Sequence, residues 1–238
     1  METASRKTVN EARHRGPNLG AVGVIYTSLF LASLIVPAIM TKGGHIPSPF
    51  ASPDLAQAFF YGHADAVRIG AFLQFGAAIP LGIFTATAVS RLQFLGMNVA
   101  GVFISLFGGI AASVLAAISA AVQWVLAQPG VPANAVATRL LHLLAFVTGG
   151  PGFVAPFGLL VAGVSVISWF TRFLPRWLVW MGVVIAIVAE LSSLSLIWTP
   201  AAYLLPVARF LGFAWIIATG FRLPRSHAEA QKVRTVTA

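Results

Sequence analysis

Apolar residues gather in long runs rather than alternating with polar ones, and each run ends at a basic, glycine-containing or proline-containing boundary. The first three runs cover Leu19 to Met40, about Ala66 to Ser90 and about Gly96 to Leu126, and each reaches the roughly 20 residues a helix needs to cross a bilayer. Two more, Trp177 to Trp198 and Ala201 to Phe221, meet at Thr199 and Pro200. Between these sets, Asn134 to Phe170 is apolar for longer than one span requires and is interrupted by Gly149-Gly150-Pro151-Gly152. That segment is either a long kinked helix, or an external or re-entrant helix over Asn134 to Thr148 followed by the span proper. Irregular backbone at membrane depth is tolerated only inside protein or beside water, so the break is a candidate cavity wall as well as a candidate proline kink. Thr41 to Ala64, rich in glycine and proline, reads as an external loop in which Ser52-Pro53-Asp54 starts a short interfacial helix reaching Phe60.

The expected architecture is therefore an all-α polytopic membrane bundle with six transmembrane helices. The spans lie near 19–40, 66–90, 96–126, 134–171, 177–198 and 201–221, between basic tails at 1–18 and 222–238.

Composition fixes the solvent, because 58% hydrophobic against 9% charged residues cannot clothe a surface in water. The first run is too long for a secretory signal and lacks a clear small-residue cleavage site, so it reads as a retained span. The net charge of +9 could suggest nucleic acid, but the basic residues sit at helix ends. Arg6, Lys7, Arg13 and Arg15 precede the first span, Arg91, Arg172 and Arg176 fall in short turns, and Arg222, Arg225, Lys232 and Arg234 follow the sixth. Lys42, Arg68, Arg139 and Arg209 remain for the opposite half. This is the positive-inside pattern; it places both termini in the cytoplasm and makes anionic lipid headgroups at that face the expected partner, with no nucleic acid. Trp124, Trp169, Trp177, Trp180 and Trp198 lie near proposed span ends, as an aromatic belt requires. The chain has no cysteine, which removes disulfides, thiol nucleophiles, cysteine-held zinc and iron–sulfur clusters.

In the third span Gly101, Ser105, Gly109, Ser113, Ala117 and Ala121 recur at every fourth position. A stripe of small residues lets a neighbouring backbone approach closely, which suits an internal seam or, alternatively, a homodimer face. Pro80-Leu81-Gly82-Ile83 with Ala86 also echoes Pro156-Phe157-Gly158-Leu159 with Ala162, a weak sign of a parallel repeat.

Candidate chemistry concentrates away from the basic face. Glu190 and Arg209 lie in the fifth and sixth runs at matching distances from their turn, about 13 Å below the interface at about 1.5 Å per residue. Charges in hydrocarbon usually pair or line a cavity, so this placement predicts an intramembrane salt bridge that is either a structural staple or part of a site. His63, Asp65 and Arg68 open the second span, while Arg139 and His142 share a face of the fourth segment. If these faces converge they line an outward-opening polar vestibule; if not, His63, Asp65, Arg68 and Arg139 are interfacial anchors. His63 and His142 could also approach each other as haem b ligands, but one histidine per helix with no second pair is a poor haem signature, and no metal or cofactor is expected. No HExxH, phosphate-loop or GxSxG pattern occurs, so nothing supports an enzyme.

Leu174-Pro175-Arg176-Trp177-Leu178-Val179-Trp180-Met181-Gly182, with Pro156-Phe157-Gly158-Leu159-Leu160 before it and Leu205-Pro206 and Trp215-Ile216-Ile217-Ala218-Thr219-Gly220-Phe221 after it, resembles a bacterial family. That family comprises small six-span membrane proteins classed as a domain of unknown function. The resemblance is strongest over residues 149–221 and implies six helices in a bacterial inner membrane; it implies no activity. The expected function is non-enzymatic binding or transport of a small or amphipathic ligand through the outward-facing pocket. The alternatives are an accessory or scaffold subunit of a larger membrane complex, and a haem- or quinone-binding redox module.

Overall fold

The computed structural model describes residues 13–236, of which all six expected spans are helical. In chain order the helices are α1 (Leu19–Met40), α2 (Pro53–Gly62), α3 (Ala64–Phe94), α4 (Ala100–Leu126), α5 (Ala135–Gly149), α6 (Pro151–Thr171), α7 (Arg176–Ser192), α8 (Leu204–Arg222) and α9 (His227–Val236). Local chemistry sets their ends. The side chains of Asn18 and Asn134 accept from the amides of Ala21 and Ala137, capping α1 and α5 at 3.3 and 3.0 Å. Pro151 opens α6, where its missing N–H is one that no helix could bond.

The fourth segment is thus two helices rather than one kinked rod. Gly150 takes φ −88° and ψ −108°, outside the helical range, and its amide still closes α5 by donating to Phe146 O at 2.6 Å. Proline and glycine together make the break: proline at 151 cannot donate to Val147 and disfavours helical backbone before it, and glycine at 150 is free to leave the helical range, whereas Pro80 and Pro156 stay inside their helices. The turn between α7 and α8 is likewise more elaborate than a tight hairpin, with 3₁₀ stretches at Ser193–Leu196 and Thr199–Tyr203.

Going round the bundle, α1 packs on α3, α3 on α4, α4 on α6, α6 on α7, α7 on α8, and α8 returns to α1. The ring is filled by Phe84, Phe153, Phe157 and Trp215, each fully buried. Trp215 satisfies its indole by donating to Leu178 O across to α7 at 3.1 Å. The short helices α2 and α5 cover one end, the loop face; Arg13 and Ser226 meet at the other, the terminal face.

The small-residue stripe lies mostly inside the ring but serves two neighbours. Gly101 and Ser105 meet Gly163 and Ile167 of α6, whereas Gly109 and Ser113 meet Thr85 and Ala78 of α3. Four residues advance a helix by about 40° beyond a full turn, so an every-fourth pattern winds from one partner to the next. By Ala121 it has reached the exposed surface, with Ala117 half-buried on the way.

The segment after residue 222, expected as a plain basic tail, contains an ordered helix. Ser226 Oγ accepts from the Glu229 amide at 3.2 Å and Glu229 Oε2 accepts from the Arg225 amide at 2.7 Å, a capping arrangement that starts α9. Glu229 also pairs with Arg13 at 3.0 Å, and Ala230 is buried in the main core. Arg6 and Lys7 lie outside the described residues.

Candidate binding site at the loop face

Glu190 and Arg209 do not pair. On α7 the buried positions are Gly182, Ile185, Ala186, Ala189 and Ser192, and Glu190 falls beside that stripe among exposed Ile187 and Leu191. On α8 the buried positions include Leu205, Ala208, Gly212 and Ile216, a face that Arg209 shares. Equal distance from a turn sets depth, whereas direction follows each helix's own phase. Arg209 instead donates from Nη2 to Gly149 O, the carbonyl at the end of α5, at 2.6 Å. Its guanidinium carbon lies 5.3 Å from the ring centroids of both Phe30 and Phe153, so aromatic faces replace the missing carboxylate. Nearby polar capacity stays unused: Arg209 Nε and the Tyr26 hydroxyl are buried with no hydrogen-bond partner among the described residues.

The remaining expected site residues are absorbed locally. Arg68 pairs with Asp65 at 3.0 Å on the same exposed helix end and donates to Ala127 O at 3.2 Å. His63 stacks on Phe59, centroids 4.8 Å apart, and its Nδ1 lies 3.2 Å from Phe59 O. His142 is buried with its ring edge-on to Phe60 at 5.2 Å. Arg139 is exposed. The structure therefore brings Asp65 to Arg68, and seats each histidine on a phenylalanine of α2, but does not gather the seven residues around one vestibule.

A different constellation forms there. A cavity of about 250 Å³ lies between α1, α3 and α4, roofed by His45 and Ile46 of the loop and by Phe59 of α2. The roof is held by a turn in which Lys42 and Gly43 take φ +53° and +91° and the Thr41 hydroxyl donates to Gly44 O at 2.7 Å. Ser33 and Pro37 of α1 and Gly70 of α3 form the wall, with Gly70 allowing α1 to approach: a Cβ there would meet Pro37 Cγ at 2.8 Å. On the floor, Gln123 Nε2 donates to Gln74 Oε1 at 3.0 Å and to Ser119 Oγ at 3.4 Å. Ser119 in turn donates to Ala145 O at 2.9 Å, linking this pair to the helix whose last carbonyl Arg209 holds. Gln74 Nε2 and Gln123 Oε1, one donor and one acceptor, are left without a partner among the described residues.

A larger hollow of about 510 Å³ lies between α3 and α4, lined by Arg68, Phe72, Phe75, Ala121 and Trp124. Its walls are exposed aromatic surface. Apart from Arg68, already engaged, it offers nothing to orient a ligand, so the smaller cavity is the better candidate.

The sequence reading passed over Gln74 and Gln123, whose signal was an amide inside an apolar span, and Tyr26, which reads as ordinary core. Comparison with known proteins gives no matching family model, no similar curated protein and no similar solved structure.

Proposed function

We propose that this multi-pass membrane protein binds a small amphipathic ligand from its loop face, without catalysing a reaction on it. The cavity roofed by His45, Ile46 and Phe59, with an amide donor and acceptor on its floor that have no partner among the described residues and mostly apolar walls, is the observation that carries this reading. Apolar walls supply affinity and a few convergent polar groups supply orientation. The floor has no charge, so it suits a neutral hydroxyl or amide head group better than a carboxylate, whose desolvation nothing there would offset. The basic terminal face points to the cytoplasm by the positive-inside rule, which opens the cavity to the outside of a bacterial inner membrane.

Purified protein tested with octanamide, 1-octanol and octanoate is the direct experiment. Octanamide and octanol should raise the melting temperature and octanoate should do so less. Gln123→Leu should abolish the shift. Equal shifts in wild type and Gln123→Leu, or no shift with any of the three, would refute the assignment.

A further inference from the structure

On the terminal face, α6 ends at Thr171 and α7 begins at Arg176, and the turn between them encloses a cavity of about 330 Å³. Arg172 and Arg176 sit on its rim, both exposed, and neither guanidinium has a protein partner among the described residues. Trp169 and Trp180 form one wall, edge to face with centroids 4.8 Å apart. Ser168 lines the interior; it is 1% exposed, and its hydroxyl has no hydrogen-bond partner among the described residues. Pro175 caps α7 without a side-chain bond, so the positive end of that helix adds to the field.

We propose that this cavity is a site for the headgroup of an anionic phospholipid. Two unpaired guanidinia beside a buried, unsatisfied hydroxyl match a phosphodiester, whose two free oxygens accept from planar donors. Indoles at headgroup level hold the glycerol region, and exposed Trp169 and Phe170 continue into the hydrocarbon, where acyl chains lie. The same arginines repel the ammonium of a zwitterionic lipid, so discrimination has an attractive and a repulsive part. Arg172 occupies the left-handed region at φ +56°, which holds its side chain at the mouth of the cavity rather than along α6.

The test reconstitutes the full chain in phosphatidylcholine vesicles carrying brominated-chain phosphatidylglycerol or brominated-chain phosphatidylcholine, and reads quenching of tryptophan fluorescence. Wild type should prefer the anionic lipid at least fivefold. The double variant Arg172→Gly with Arg176→Gln should bring that ratio close to one, glycine being chosen because it keeps the positive φ. Ser168→Ala should lower the ratio at least twofold, which a merely structural hydroxyl would not do. Should the double variant fail to reconstitute, Arg176→Gln alone, at an exposed helix end, carries the test with a threefold loss expected. No preference in wild type, or a preference that survives the arginine substitutions, overturns the proposal. So does loss of the preference in 20 mM inorganic phosphate but not in chloride of equal ionic strength, because the site would then belong to free phosphate.

Discussion

Arg209 is a cation held in the interior by one carbonyl and two aromatic faces, with Glu190 turned away from it. Removing the side chain deletes a charge-assisted hydrogen bond, leaves Gly149 O unsatisfied and opens a void beside the stacked rings of Phe30 and Phe153. Arg209→Ala is therefore expected to cost about 2–5 kcal/mol in detergent-monitored unfolding. Arg209→Met should recover at least half of that by filling the space without burying a charge. Glu190→Gln should change stability by less than about 0.5 kcal/mol, and a double-mutant cycle between the two positions should show coupling no larger than that. Coupling above 1 kcal/mol would mean that the two charges do meet. That both residues are charges within the fifth and sixth spans was readable from the sequence, but the inward direction of Arg209 was not, because exposed Val207, Phe210 and Leu211 are as apolar as buried Leu205, Ala208, Gly212 and Ile216. What residue counts could not supply was azimuth, and with Ile187 and Leu191 exposed α7 is apolar on both sides, so nothing along it marked Glu190 as outward.

Among the elements, the break between α5 and α6 holds the candidate site together. A Cβ at Gly149 would overlap the Ser119 hydroxyl, the group that accepts from Gln123 and ties α4 to Ala145. Gly149→Ala should destabilise by about 1–3 kcal/mol through this overlap. Ser119→Ala alone should cost about 0.5–1.5 kcal/mol for its lost bond, and the pair should cost less than the sum, since the second change removes the overlapping hydroxyl and leaves only the Ser119 Cβ contact at 2.9 Å. Strict additivity in thermal unfolding would place the effect elsewhere. Gly149-Gly150-Pro151-Gly152 announced an interruption because proline removes a helix bond and disfavours helical backbone before it where glycines offer little resistance, whereas Pro37, Pro80 and Pro156 are carried inside helices. The start of α2 near Ser52 was legible for the same kind of local reason. α9 was not, because its ten residues, six of them polar, show no apolar run; its signal was the Ser226 to Glu229 spacing of a capping box. Gln74 and Gln123 were each visible as an amide inside an apolar span, but their meeting on the cavity floor was illegible, since it arises only through packing of α3 on α4.

At the scale of the whole molecule, the terminal face is tied by a polar cluster that responds to pH. Burial alone would raise the Glu229 carboxyl, but the Arg225 amide, the Arg13 hydrogen bond and the charges of Arg13 and Arg225 outweigh it and hold the group below its ordinary range. Its contribution is present above the unfolded carboxylate value of about 4.3 and is lost as pH falls through the folded one. His14, bonded to Ser90 Oγ at 3.0 Å, is lowered from 6.5 by burial and then by the neighbouring Arg91 charge. Its neutral form is favoured in the folded cap, so stability is lost as pH falls from about 6.5 towards the folded value. Both groups act in one direction. Amide exchange of α9, corrected for intrinsic rate, should be faster at pH 5 than at pH 7.5, and His14→Gln should flatten that difference between pH 7 and 5. An unchanged pH response in His14→Gln would assign it to other groups.

The closure of α8 onto α1 bears on how the chain is made. α1 presents Gly20 and Gly23 to Phe221 and Ile216, and its Phe30 faces Arg209, all contributed from a segment synthesised roughly 180 to 200 residues afterwards. Until the sixth span leaves the ribosome and enters the bilayer, that surface has no cover, and five inserted helices form an open arc. Biogenesis therefore turns on a late event: a nascent chain halted before Leu204 should remain in the custody of insertion factors or be degraded, while release past Arg222 lets the first helix find its permanent neighbour.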